Sequence, residues 1–152
     1  PAECCVAWGD TLRLRERVQH ARDSLGAHVV LLSLHQGTEY VGVPLRRELE
    51  LTRALARSGV DAVIGHHPHV PQGVERVNGV PVIHSLGNFV FLQNQPWTRV
   101  GLVAELEVAR DRSVQVTLRP VSATFTPRWL SGRDSAAAMR HVDSLSRALA
   151  DR

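Results

Sequence analysis

Two short, unbroken apolar runs bracket a stretch with helical spacing, and this arrangement restricts the fold more than any other feature of the chain. Val29 to Leu34 and Val60 to Ile64 have the length and β-branched character of buried strands. Between them, after a loop from Gln36 to Val43, Pro44 can open a helix that carries Leu45, Leu49, Leu51, Ala54 and Leu55 and stops at Gly59. Strand, helix, strand in that order predicts two parallel neighbours joined by a right-handed crossover. The fold class is therefore α/β. An earlier helix is expected from about Thr11, with Leu14, Val18, Ala21 and Leu25 on one face and Gly26 as its stop.

Beyond the second run the pattern changes to strands alone. Asn78-Gly79 between apolar flanks is a two-residue hairpin signal. Val100, Leu102, Ala104, Leu106 and Val108 alternate with more polar neighbours, as do Val114, Val116 and Leu118 after a turn near Asp111. A closing helix carries Ala138, Val142, Leu145 and Leu149. There is no internal repeat, linker or low-complexity segment. Residues 1–152 read as a single domain, or part of one.

Composition removes several function classes. All 18 basic residues are Arg, so no P-loop lysine and no Schiff-base lysine exists in this chain. The net charge of +3 is spread along the sequence without a basic block, which argues against nucleic acid as a partner. The only cysteines, Cys4 and Cys5, are adjacent and imply no disulfide framework. No apolar run approaches the ~18 residues of a membrane span, and no targeting segment is visible. The chain opens on Pro1, which suggests processing or the later part of a longer protein.

The chemistry lies in the histidines. His35 follows the first apolar run; His66, His67 and His69 follow the second, around Pro68. If the two strands are parallel neighbours, their C-terminal ends meet about 5 Å apart, where open α/β sheets place their ligands. In extended backbone, residues i and i+2 project to one side, so His67 and His69 would point together and His66 away. Imidazole suits Zn, Fe, Ni or Mn when oxygen ligands share the site, which makes His35, His67 and His69 the candidate metal ligands. Glu39, in the loop after His35, is the nearby carboxylate able to orient a ligand or touch substrate, whereas Asp61 lies at the wrong end of its strand. Three neutral imidazoles bring no charge to offset repulsion between two ions, so a dinuclear centre would be only half present.

"VVLLSLHQGTEY" and "GVDAVIGHHPHVPQGVERVNGVPVIHSLGNFVF", with the helix between them, resemble the CapA/PgsA-like capsule synthesis family, the poly-γ-glutamate synthesis proteins with a calcineurin-like metallophosphoesterase fold. The resemblance runs from about Val29 to Leu92. It implies part of an α/β/β/α sandwich, with the βαβ unit in one sheet and the later hairpins in the other, and it carries the family's metal-binding histidines onto His35, His67 and His69. It also puts Ser85 to Phe91 on the family's second signature, where Gly87 and Asn88 shape a tight turn beside the site. Glu39, His66, His84 and Asn88 are then the residues expected to orient ligands or contact substrate. Two departures stand out. The loop reads His35-Gln36-Gly37 where the family usually has H-W-G, which removes an aromatic wall. His84 stands where a tyrosine commonly precedes the second signature.

The family's first half, with its metal-binding aspartates, asparagine and neighbouring histidine, is not recognisable; Trp8 to Asp10 lacks the residues that should follow. The chain thus resembles the C-terminal portion of such a protein. The resemblance implies divalent Mn, Fe or Zn, dinuclear in the intact protein, and a hydrolase acting on a polymer or phosphoester-like substrate. It further implies membrane-bound synthase subunits as partners and the outer face of the membrane, in the cell envelope, as the location, with the cytoplasm as the alternative. This chain alone is expected to be inactive. Two other readings compete: a non-catalytic scaffold that binds polymer or a synthase partner, and a self-sufficient metal-binding domain completed by a second copy.

Overall fold

A computed structural model describes residues 11–152; Cys4, Cys5 and the Trp8–Asp10 segment lie outside the described residues. Ten elements follow one another: α1 (Thr11–Asp23), β1 (Leu31–His35), α2 (Arg46–Ala56), β2 (Ala62–His66), β3 (Val74–Val77), β4 (Val80–Ile83), β5 (Val100–Val108), β6 (Val114–Ser122), β7 (Arg128–Trp129) and α3 (Gly132–Ala150). Strands β1, β2, β4 and β3 form one sheet in that spatial order, and β5, β6 and β7 form a second. The molecule is mixed α/β with two sheets.

The expected crossover is present. β1 and β2 are parallel neighbours across α2, in register from Leu31 opposite Ala62 to His35 opposite His66. Both strands begin two residues later than the apolar runs suggest, and they end later too, β1 by one residue and β2 by two. Val29 and Val30 precede β1, and Val60 precedes β2, because Asp61 organises the entry. Its carboxylate takes the Val30 amide at 2.7 Å and pairs with Arg22 of α1. At the other end polar residues complete the ladder, so His35 and His66 are the last strand residues and not the first loop residues.

The β3–β4 hairpin corrects an expectation. Asn78 and Gly79 do form its turn, both at positive φ as a two-residue hairpin turn requires. However, β4 pairs parallel to β2, so this hairpin extends the first sheet and does not join the second. Only β5 to β7 build the second sheet. A further correction concerns Leu25, which lies past the end of α1 and is largely exposed; α1 is anchored by Val18 instead.

The core beneath α1 and α2 is a cluster of Val18, Ala56, Val60, Val63, Val77 and Val82. α3 packs on β3 and β6 and buries Ala138, Val142 and Leu149. The two sheets are joined by the stretch after β4. Leu86 accepts the Leu102 amide at 2.8 Å, and Gly87 bridges to Gly101 of β5. Two glycines allow that crossing. A Cβ on Gly65 would lie 1.9 Å from the His84 carbonyl oxygen, and one on Gly101 would lie 1.8 Å from the Asn88 carbonyl oxygen. Neither gap admits a methyl group.

Candidate metal centre

The C-terminal ends of β1 and β2 open into two loops that are tied to each other. The Gln36 amide donates to the His66 carbonyl at 3.0 Å, and the Tyr40 amide donates to the Pro68 carbonyl at 2.8 Å. The first loop is stiffened from behind by Glu48, a mostly buried residue of α2. Its carboxylate accepts the Leu45 amide at 2.8 Å, which caps the helix, and the Thr38 hydroxyl at 2.9 Å. Gln36, where an aromatic residue is common in the family resembled, turns inward and donates to Thr52 Oγ1 at 2.6 Å. It is an anchor between loop and helix.

His67 and His69 sit in the second loop with φ of 103° and 62°. The extended-backbone argument for their convergence is therefore wrong, although the rings do converge. His67 faces His35 at the end of β1, and His69 faces Glu39 and Tyr40 in the loop beyond it. Left-handed conformations cost non-glycine residues of order 1–3 kcal/mol each and persist where the surroundings enforce them. Here the enforcing contacts are the Tyr40–Pro68 hydrogen bond and the burial of Pro68 and Val70.

His35 Nε2 and His67 Nδ1 are 3.2 Å apart. Glu39, His67 and His69 each bring one ligand atom into a group whose members all lie within 4.8 Å of one another. Within that group, His69 Nε2 stands 4.0 Å from Glu39 Oε1. Tetrahedral bonds of 2.0–2.1 Å separate ligand atoms by about 3.3 Å. The Glu39–His69 gap of 4.0 Å would have to close by about 0.7 Å to reach that separation, within reach of an exposed glutamate. The donor set of imidazoles and one carboxylate suits a borderline divalent ion.

The structure thus brings His67, His69 and Glu39 into one group, leaves His35 outside it as the hydrogen-bond partner of His67, and adds two outer neighbours. Asn88 reaches the site through its carboxamide oxygen, 2.8 Å from His69 Nδ1. His66 is the register partner of His35; burial, and then repulsion from His35, push its pKa below the ordinary histidine value. His84 is not brought there. Its ring is buried and bonds Glu75 Oε1 at 2.9 Å, in a network with Arg53 elsewhere on the sheet. The reason is β4, which carries His84 to the hairpin side of the sheet, where Glu75 of β3 waits.

Sequence reasoning missed three residues. Phe91 stacks on His69 with ring centroids 5.4 Å apart, and Tyr40 lies at 6.1 Å on the same ring. These two supply an aromatic wall despite Gln36. Gln93 links them to the site by donating to the Tyr40 hydroxyl at 3.0 Å and accepting from Asn88 Nδ2 at 2.9 Å. The aromatic residues Phe89 and Phe91 were the available signal. Nothing in the sequence pointed to Gln93.

Comparison with known proteins follows the same stretch. The profile of bacterial capsule synthesis protein PGA_cap matches residues 3–93, reaching well upstream of the Val29–Leu92 resemblance. PGA biosynthesis protein CapA of Bacillus subtilis (strain 168) is 45% identical over 73 residues, which are 48% of this chain and 19% of that protein. Capsule biosynthesis protein CapA of Bacillus anthracis is 38% identical over 88 residues, 57% of this chain and 21% of that protein. The chain spans about a fifth of the length of these curated relatives.

Proposed function

The chain belongs to the bacterial capsule synthesis protein PGA_cap family, and from that premise we propose that it is the histidine-bearing portion of a metal-dependent, phosphoesterase-like hydrolase site. The protein it belongs to would act in the synthesis of a poly-γ-glutamate capsule or related cell-envelope polymer, at the outer face of the membrane. Its fold would be the later part of a calcineurin-like sandwich, the parallel sheet β1–β4 and the antiparallel sheet β5–β7 being its two β-layers. The observation that carries the reading is the convergence of His67, His69 and Glu39 at the open end of the parallel sheet, with His35 against His67.

His67, His69 and Glu39 would hold a divalent ion, Mn, Fe or Zn, with His35 beside them. Such an ion acidifies a bound water and polarises a phosphoryl-like or acyl-like group. The chain's own residues bind and orient. The left-handed loop aims both imidazoles, Glu48 stiffens the loop that carries Glu39, and Tyr40 with Phe91 form a dry wall on one side of His69. One carboxylate offsets little of the repulsion between two ions 3.5–4 Å apart. The described residues therefore suit one ion, and a dinuclear centre would draw its further carboxylates from elsewhere in a protein as long as the relatives. Synthase subunits at the membrane are the partners this role requires.

Phosphatase assay of the longer gene product, with and without Mn²⁺, tests the reading. Metal-dependent turnover that disappears in His67→Ala is the expected result. An inactive, metal-free protein would favour a scaffold that keeps the fold and binds polymer.

A further inference from the structure

The hydrogen bonds around Asn88 have a settled direction. Asn88 Nδ2 lies 3.1 Å from the Thr98 carbonyl oxygen, which can only accept. The nitrogen of that carboxamide therefore faces Thr98, and the oxygen faces His69. An oxygen acceptor 2.8 Å from His69 Nδ1 requires a hydrogen on Nδ1. In the neutral ring the lone pair must then be on Nε2, the atom that faces Glu39. The remaining bonds agree: Asn88 Nδ2 donates to Gln93 Oε1, and Gln93 Nε2 donates to the Tyr40 hydroxyl. Asn88 is itself buried and held by the approach of Gly101 to its backbone.

We infer that Asn88 is a positioning residue that holds His69 as its Nδ1–H tautomer, with the Nε2 lone pair presented to the cluster, and that Gln93 and Tyr40 brace it. A free imidazole exchanges its proton between the two nitrogens and rotates about its side-chain bonds. Asn88 removes both freedoms before any ion arrives, as an outer partner does for a metal-binding histidine. The Thr98 contact ties the lock to the far side of the molecule. Neighbouring Trp97 stacks on His141 of α3 with ring centroids 3.7 Å apart. The consequence for an ion rests on the metal-site reading above; the tautomer itself does not.

The test is ring ¹⁵N NMR on the metal-free chain, at a pH where the imidazoles are neutral, followed by Zn²⁺ titration of the same samples. His69 should show a protonated Nδ1 and a bare Nε2. Asn88→Leu should lose that preference and bind Zn²⁺ roughly 10–100-fold more weakly, whereas Asn88→Asp, which can still accept from Nδ1 but loses the donor bonds to Thr98 and Gln93, should keep the tautomer in the folded fraction. The His84 ring, bonded to Glu75, reports whether each variant keeps its fold. Should Asn88→Leu fail to fold, the wild-type spectrum alone decides the lock. A protonated Nε2 on His69 in the wild type overturns the inference, even if Zn²⁺ binds. Unchanged Zn²⁺ affinity in folded Asn88→Leu overturns the positioning role. A chain with the Nδ1–H tautomer but no Zn²⁺ affinity leaves the lock standing and defeats the metal-site reading instead.

Discussion

The first sheet carries two histidine–carboxylate constellations, and they behave in opposite ways. On its hairpin side, His84, Glu75 and Arg53 are closed on one another. Glu75 takes hydrogen bonds from His84 and from two nitrogens of Arg53, which in turn caps α3 by donating to the Leu149 carbonyl. At the open end of β1 and β2, Glu39 and His69 face each other at 4.0 Å and Glu39 is 49% exposed. The residue types are the same. Saturated valences make the first a structural tie between α2, β3, β4 and α3, whereas the second leaves Glu39 and His69 Nε2 4.0 Å apart, as the proposed ligand site requires.

The backbone repeats the contrast. Glu75 and Arg53 lie on regular strand and helix and His84 directly follows β4, none of them at positive φ, while His67 and His69 both are. A stable arrangement stores no strain; a ligand site held open does. The sharpest way to break the comparison is His67→Gly. Glycine relieves the φ of 103°, so stability should hold or rise by about 1 kcal/mol. Zn²⁺ affinity should fall by more than the ~10–100-fold that loss of an outer partner causes. Denaturant melts and calorimetric titration read the two effects. Destabilisation together with unchanged binding would reverse the roles assigned to the two regions.

Gly65→Ala probes the seam between them, because the added methyl would press on the His84 carbonyl. A loss of about 3 kcal/mol in urea unfolding is expected, from displacement of one strand by another. Next comes the closed network. Glu75→Gln should cost roughly 2 kcal/mol, the scale of hydrogen bonds to a charged group, and leave Zn²⁺ affinity intact. Burial alone would raise the Glu75 carboxyl, but hydrogen bonds from His84 and Arg53 outweigh it and hold the pKa down at about 2. A depressed pKa stabilises the fold above the unfolded carboxyl value of 4.5. That contribution drains away as the pH falls from there toward about 2. The variant should lack this acid-side loss, as thermal melts across that pH range would reveal. Smallest of all, Glu50→Gln breaks the exposed i,i+4 pair with Arg46 and should change stability by less than ~0.5 kcal/mol.

Which parts of this contrast could be read from the sequence follows from range. The βαβ unit was legible because apolar length and helical spacing are local signals, and the parallel register then brought His35 toward the second histidine loop. The Asn78-Gly79 turn was legible too, but not the sheet it joins, since β4 finds β2 through a pairing no local pattern encodes. His84 illustrates the cost. Its position in the resembled signature suggested the site, and only the strand order shows it committed to Glu75. The H-x-H spacing led to the right rings for the wrong reason, because left-handed backbone at histidine leaves no trace in periodicity. Asn88, Gln93 and Tyr40 come from two loops far apart in sequence, so their relay exists only in the folded chain.

The convergence of imidazoles and Glu39 on one ion is tested most directly by X-ray absorption of the chain loaded with one equivalent of Zn²⁺. The account predicts a site with at least two imidazole ligands at 2.0–2.1 Å, lost in a His67→Ala, His69→Ala double variant that keeps its fold. A zinc environment of oxygens alone, or one indifferent to that double substitution, would contradict it.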